Sequence, residues 1–234
     1  MSILSTDALR RLSLGFPTLE HAFPGFERGD FVVMRGNAAS FMCFVLSVRA
    51  QFSLRRGGLG SSIIFVDGGN MFDPYLVAEI ARGHGLDSRS VLEKIHVSRA
   101  FTAYQLSSLI LEDLDPALKK NNAKLLIVSD VTSLFSDRDV PKIEAEELFI
   151  KICAKLSEIA GKKQKIVVAS YFPEERSMRG LLFETVLFEK CNVLISVKKT
   201  GKVLAFALED HAQLRAFSMS FTIDNNSLTS FMGV

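Results

Sequence analysis

The stretch Phe31 to Ala50, FVVMRGNAASFMCFVLSVRA, decides how the rest of the chain is read. An apolar run from Phe31 to Met34 breaks at Gly36 and gives way to a helix-like run from about Phe41. That is the strand, loop, helix order of a phosphate-binding loop. The pattern such a loop follows is G-x-x-x-x-G-K-S/T. Gly36 fills its first position and Asn37, Ala38, Ala39 and Ser40 the spacer, but Phe41, Met42 and Cys43 stand where Gly, Lys and Ser/Thr are needed. The Gly would let the backbone approach the phosphates, the Lys would neutralise them, and the hydroxyl would hold magnesium. All three are replaced, so the loop has the hydrophobic frame of a nucleotide site without its chemistry.

Composition sets the bounds outside this stretch. The chain has 234 residues, 48% of them hydrophobic and 23% charged, which is enough to build one domain around a sizeable core. The uncharged run Gly36 to Val48 is too short for a bilayer span and is flanked by Arg35 and Arg49. Met1 to Arg11 is polar and charged, unlike a signal peptide, so no membrane partner is expected and the cytoplasm is the expected address. Cys43, Cys153 and Cys191 are odd in number and set among apolar residues, which reads as reduced core thiols. The four histidines lack metal-ligand spacing, and a net charge of +2 is too mild by itself to imply nucleic-acid binding.

Apolar or β-branched runs predict strands at Phe31 to Met34, Ser62 to Val66, Ile95 to Val97, Leu125 to Ser129, Lys165 to Ala169, Val193 to Val197 and Val203 to Leu208. Between the earlier ones lie helical patterns at Phe41 to Leu54, Pro74 to Gly83, Ala103 to Leu114 and Ile143 to Ala160. Asp73-Pro74 supplies a cap and a first turn, and Gly83 and Gly161 read as stops. The alternation predicts an α/β fold with a mainly parallel sheet flanked by helices, and Val197 to Val203 reads as the turn of a C-terminal antiparallel hairpin.

The order of segments from Leu14 to Ile223 resembles the core of the RecA/RadA recombinases, particularly the archaeal RadA paralogs. Gly15-Phe16-Pro17-Thr18-Leu19-Glu20, with Gly25, Arg28 and Gly29, resembles that family's lead-in to the first strand. Phe65 to Pro74 resembles the stretch after the second strand, followed by Gly85-Leu86-Asp87 and Ile95 to Phe101. Leu125 to Phe135 resembles the Walker B strand and its exit. The resemblance implies a RecA-like core at residues 14–234 behind a short lead-in at residues 1–13. That lead-in is too short for the family's helical N-terminal domain or its Phe-x-x-Ala polymerisation strand.

The departures from the family point away from catalysis. The position matching the catalytic Glu is Gly69. The Walker B carboxylate is displaced from Ser129 to Asp130, and side-chain alternation along a strand would turn it to the other face. The polar pair that senses the γ-phosphate is replaced by Ser170-Tyr171. Phe41, Met42 and Cys43 are therefore expected in the core, and Asp67 and Asp130 to cap backbone amides. The reading is of a pseudo-ATPase with no cofactor and no metal, an accessory protein of recombination or repair. Its partner would be a RecA/RadA-type recombinase or another paralog, docked by strand addition. Weak DNA contact is expected near Ser136 to Ile143 and Pro173 to Gly180, through Arg138, Lys142, Arg176 and Arg179, each diluted by neighbouring Asp or Glu. Two other classes stay open. One is a divergent ATPase using Gly36 amides and Asp130; the other is a RecA-fold scaffold outside DNA metabolism.

Overall fold

The computed structural model describes residues 11–137, 139–173 and 177–222. Strands β1 (Phe31–Arg35), β2 (Ile63–Asp67), β3 (Ile95–Arg99), β4 (Leu125–Ser129) and β5 (Ile166–Tyr171) are joined to β6 (Val193–Thr200), β7 (Val203–His211) and β8 (Phe217–Thr222) in one sheet. Its order is β3-β2-β4-β5-β1-β6-β7-β8. Pairing is parallel from β3 through β6 and antiparallel between β6, β7 and β8.

The central strands are buried along their whole length because each face of the sheet carries its own helical layer. Val32, Met34, Ile63, Phe65, Leu125 and Ile127 face a core shared with Met42, Leu46 and Val77 of α2 (Ala39–Arg49) and α3 (Pro74–Gly83). Their neighbours Phe31, Val33, Ile64, Val66, Leu126 and Val128 face a second core. That core is built from α5 (Ala103–Ser108), α8 (Lys142–Lys163) and α9 (Met178–Lys190), with α6 (Leu114–Lys120) and α7 (Ser133–Ser136) as shorter connectors, while α4 (Ser88–Leu92) packs on the first core through Val91. Two buried faces are why these strands read as continuous apolar runs and not as alternating ones. The edge strand β8 does alternate, half-buried with exposed.

Several elements differ from the sequence reading. The helix expected to end at Leu114 passes through a π-helical turn at Leu109–Asp113 and continues as α6 to Lys120. The π-helical turn lies just ahead of Pro116, whose missing N–H cannot extend the α-helical ladder. Gly161 does not stop α8; Gln164 does, in the left-handed conformation with φ 52°. Pro173 to Gly180 is not simply a loop, since α9 begins at Met178 behind Ser177, whose hydroxyl accepts from Gly180 N–H. Helix α9 and strand β8 were absent from the sequence reading. The helical lead-in α1 (Pro17–Glu20) is short, and Leu12 ahead of it is fully buried and bridged to Phe26, so the packed domain begins before Leu14.

At the C-terminal end of α3, His84 stacks edge-on against Phe52 with ring centroids 5.2 Å apart, while the Arg56 guanidinium lies 4.2 Å from the same ring. Burial, and then the charges of Arg49 and Arg56, pull the imidazole down from 6.5 to about 4. As pH falls below 6.5 the unfolded chain binds this proton before the folded one, so folding stability decreases between about pH 6.5 and 4 and levels off below. Urea unfolding of His84→Gln beside the parent at pH 7 and pH 4.5 is expected to show a smaller loss of stability in the variant. An equal loss would exclude His84 as a contributor.

Candidate functional site: a closed loop between strand and helix

The loop between β1 and α2 is held by β6. Gly36 has φ 111°, and a Cβ built on it would lie 2.3 Å from the Val197 carbonyl oxygen. Glycine is thus required here by the approach of a neighbouring strand. Asn37 continues the contact as a strand would: its side-chain amide donates to Lys199 O at 2.9 Å, and its side-chain oxygen accepts from Lys199 N–H at 2.7 Å. Ala38 N–H donates to Val197 O at 3.3 Å, and Ala39 N–H returns to Gly36 O.

The next turn is buried. Met42 and Cys43 are 1% and 0% exposed, and Phe41 packs half-buried against the same core. Burial pushes the Cys43 thiol up to about 12, with a smaller opposing effect from Ser170, so it stays protonated and poor as a ligand. Ser40 is half-buried at the helix start. The cation beside the loop, Arg35, pairs with Glu209 of β7 at 2.8 Å and lies over the Phe188 ring.

The ends of β2 and β4 are likewise occupied from within. Asp67 is fully buried, accepting from Met71 N–H at 2.9 Å, Phe72 N–H at 3.0 Å and the Ser129 hydroxyl at 3.0 Å, and pairing with Arg99 at 3.1 Å. Strand β4 ends at Ser129. Asp130 beyond it adopts a left-handed backbone with φ 51°, so strand alternation does not set its direction, contrary to the expectation from sequence. Its N–H donates to Ser170 Oγ at 3.3 Å. Its carboxylate lies along the loop after β2, where a Cβ at Gly69 would meet Asp130 Oδ2 at 2.7 Å. Gly69 is therefore a close-packing glycine, and a glutamate there would displace Asp130.

The residues at these stations do not fit a magnesium nucleoside triphosphate. Met42 and Cys43 offer apolar volume in place of a cation and a hydroxyl, Ala38 N–H is engaged, and Gly69 brings no carboxylate. Among the described residues no group of three or more His, Cys, Asp or Glu is arranged to hold a metal ion.

Of the four basic residues assigned to DNA contact, Arg138 and Arg176 lie outside the described residues. Lys142 is exposed at the start of α8 with Glu146 3.7 Å away. Arg179 donates from its two terminal nitrogens to Asp137 O at 3.1 Å and Val140 O at 2.9 Å, so it ties the two loops together. A clue to that role was not legible in sequence, because the acceptors are backbone carbonyls.

A family model described as Rad51 matches residues 30–169, more than half of the chain and the part that holds β1 through β5. The chain belongs to the Rad51 family. Over 101 residues this Rad51-family chain is 32% identical to the DNA repair and recombination protein RadA of Cenarchaeum symbiosum (strain A). That match covers 43% of this chain and 25% of the relative, so the two share a segment of the archaeal protein and not its full length.

Two substitutions test the closed loop. Asn37→Ala removes two hydrogen bonds to Lys199 and is expected to cost about 1–2 kcal/mol. Gly36→Ala meets both the Val197 carbonyl and a positive φ, and is expected to cost more, about 3 kcal/mol or above. Urea unfolding checks the order, and a neutral Gly36→Ala would show that β6 does not hold the loop.

Proposed function

We propose that this chain is a non-catalytic member of the Rad51 family, an accessory or regulatory protein of DNA recombination or repair that works through protein contacts. The observation that carries the reading is the closure of the β1–α2 loop on β6 by Asn37, with Met42 and Cys43 buried behind it. A triphosphate would have to break those bonds and would be desolvated against apolar side chains without compensation.

What the fold offers a partner instead is an open sheet edge. Strand β3 pairs with β2 on one side and forms the end of the sheet, so its outer backbone groups can receive an added strand. Phe101 and Tyr104, which follow β3, are 64% and 47% exposed and supply apolar contact beside it. The partner of this proposal is a RecA/RadA-type recombinase or another paralog presenting an extended Phe-x-x-Ala segment. DNA contact through the loop residues is secondary.

Calorimetry with magnesium ATP and with a Phe-x-x-Ala peptide separates this reading from a divergent ATPase. A nucleotide at about 100 times its Kd would add about 2.7 kcal/mol of stability. The expected result is no rise in Tm with ATP, and peptide binding that changes little between low and high salt. Micromolar ATP affinity, or ATP turnover abolished by Asp130→Ala, would overturn the proposal.

A further inference from the structure

The N-terminal ends of the parallel strands form the pole of the sheet opposite the β1–α2 loop, and three adjacent strands are entered there from a cation. Lys124 precedes β4, Lys165 precedes β5, and Arg28 lies three residues ahead of β1. Their backbones are linked: Ile166 N–H donates to Lys124 O at 3.0 Å and Gly29 N–H to Lys165 O at 3.1 Å. Lys119 and Lys163, from the last turns of α6 and α8, join Lys165 around a groove of about 690 Å³. Arg28 and Arg11 line a second groove of about 680 Å³, which reaches the first at Gln164, the neighbour of Lys165.

Asp30 lies buried at the entry of β1, and five of these six cations line the two grooves against two carboxylates, Asp115 and Glu27. Both carboxylates are already committed, Asp115 to Lys155 at 2.8 Å and to Lys163, and Glu27 to Arg11. Lys119, Lys165 and Arg28 have no carboxylate partner among the described residues. Lysines in the last turn of a helix offset its dipole, which accounts for Lys119 and Lys163. It does not account for Lys165 and Arg28, which sit in strand-entry loops beside Lys124, whose ammonium donates to Leu59 O at 2.7 Å. Burial and then the charges of Arg28 and Lys124 hold the Lys165 ammonium below its ordinary value. Crowding like charges in this way costs stability unless an anion arrives from outside.

We propose that this pole is a binding surface for the phosphate backbone of a nucleic acid. Lys124 and Lys165 are neighbours across β4 and β5, their backbones about 5 Å apart, and Arg28 lies one residue beyond Gly29, whose N–H bonds to Lys165 O. The two cation-lined grooves adjoin across Lys163, Gln164 and Lys165, a path that suits an extended polymer carrying a charge at every repeat. Asn122 and Gln213 add neutral amides of the kind that contact phosphate and sugar. Contacts of this kind go to phosphate and sugar, so the binding proposed is independent of sequence. The surface is far from Lys142 and Arg179 along the strand direction, and it does not depend on the accessory reading: a protein that bound ATP could carry it too.

The test is fluorescence anisotropy with a labelled mixed-sequence oligonucleotide, single- and double-stranded, over a salt series. The triple variant Arg28→Glu, Lys119→Glu, Lys165→Glu removes side chains with no ion pair, and Lys198→Glu, Lys199→Glu, Lys202→Glu is the control on the β6–β7 hairpin. The parent is expected to bind with a steep salt dependence. The pole variant should lose at least tenfold in affinity, with the slope of log K against log salt shallower by about 2–3, and the hairpin variant should stay within about threefold. If the glutamate triple has a collapsed Tm, the glutamine triple at the same positions is judged by the same criteria. The proposal is overturned by an unchanged pole variant, by loss confined to the hairpin variant, or by no binding at low salt. It is equally overturned if polyglutamate competes as well as the oligonucleotide, or if anionic vesicles are bound in preference to it.

Discussion

The Val197 carbonyl occupies the space where any side chain at residue 36 would begin, and much of this molecule follows from that contact. It requires glycine at the end of β1 and lets β6 run beside β1 in parallel register. It also brings Lys199 within reach of Asn37, so the loop is stitched to β6 by side-chain bonds that imitate a strand pair. Helix α2 starts from this anchored loop, with no side-chain cap of its own, and drives Met42 and Cys43 into the core below. The antiparallel strands β7 and β8 hang on the outer side of β6. One close backbone approach thereby couples the C-terminal strands to the loop that a nucleotide would enter.

The crevice between β2 and β4 shows the same inward orientation of polar groups. A buried carboxylate is tolerable when its lone pairs are occupied, and Asp67 has two amides, a hydroxyl and a guanidinium. Those partners order residues 68–72, and Gly69 in that loop leaves room for Asp130. Removing any one partner would leave a buried charge under-satisfied, which costs far more than the bond itself contributes. The arrangement is rigid and self-contained, and it makes no demand for a metal ion to balance it.

Membership of the Rad51 family accounts for the frame, and the charges lie elsewhere on it. A net charge of +2 looks unremarkable until the sheet order assembles Arg28, Lys124 and Lys165 at one pole. Electrostatic steering depends on that distribution and not on the sum. The open β3 edge and the basic pole are on different parts of the molecule, so a protein partner and an anionic polymer could be held at once.

Much of the frame was legible in local pattern. Pro74–Gly83 forms the helix with the bounds read from sequence, because Asp73 caps it by accepting from Tyr75 and Leu76 N–H, a device that needs only neighbours in the chain. Seven strands announced themselves as apolar runs, and the replacement of lysine and hydroxyl by Met42 and Cys43 was visible as residue identity. What stayed hidden depends on distant partners. Helix α9 starts behind Ser177 in a stretch that read as a loop, and it packs through Phe183 against Phe149 of α8, with ring centroids 4.4 Å apart. Asn37 and Lys199 are 162 residues apart, so nothing near Asn37 foretold that the loop would be closed. The basic pole is likewise made from strand entries at residues 28, 124 and 165, adjacent only because the sheet runs β4-β5-β1. Sequence by itself determined most of the strands and helices and which residue types stand in the β1–α2 loop, since those are properties of neighbours and residue identity. Tertiary structure alone decided what closes the loop and where the charge gathers, because both are set by non-local strand pairing.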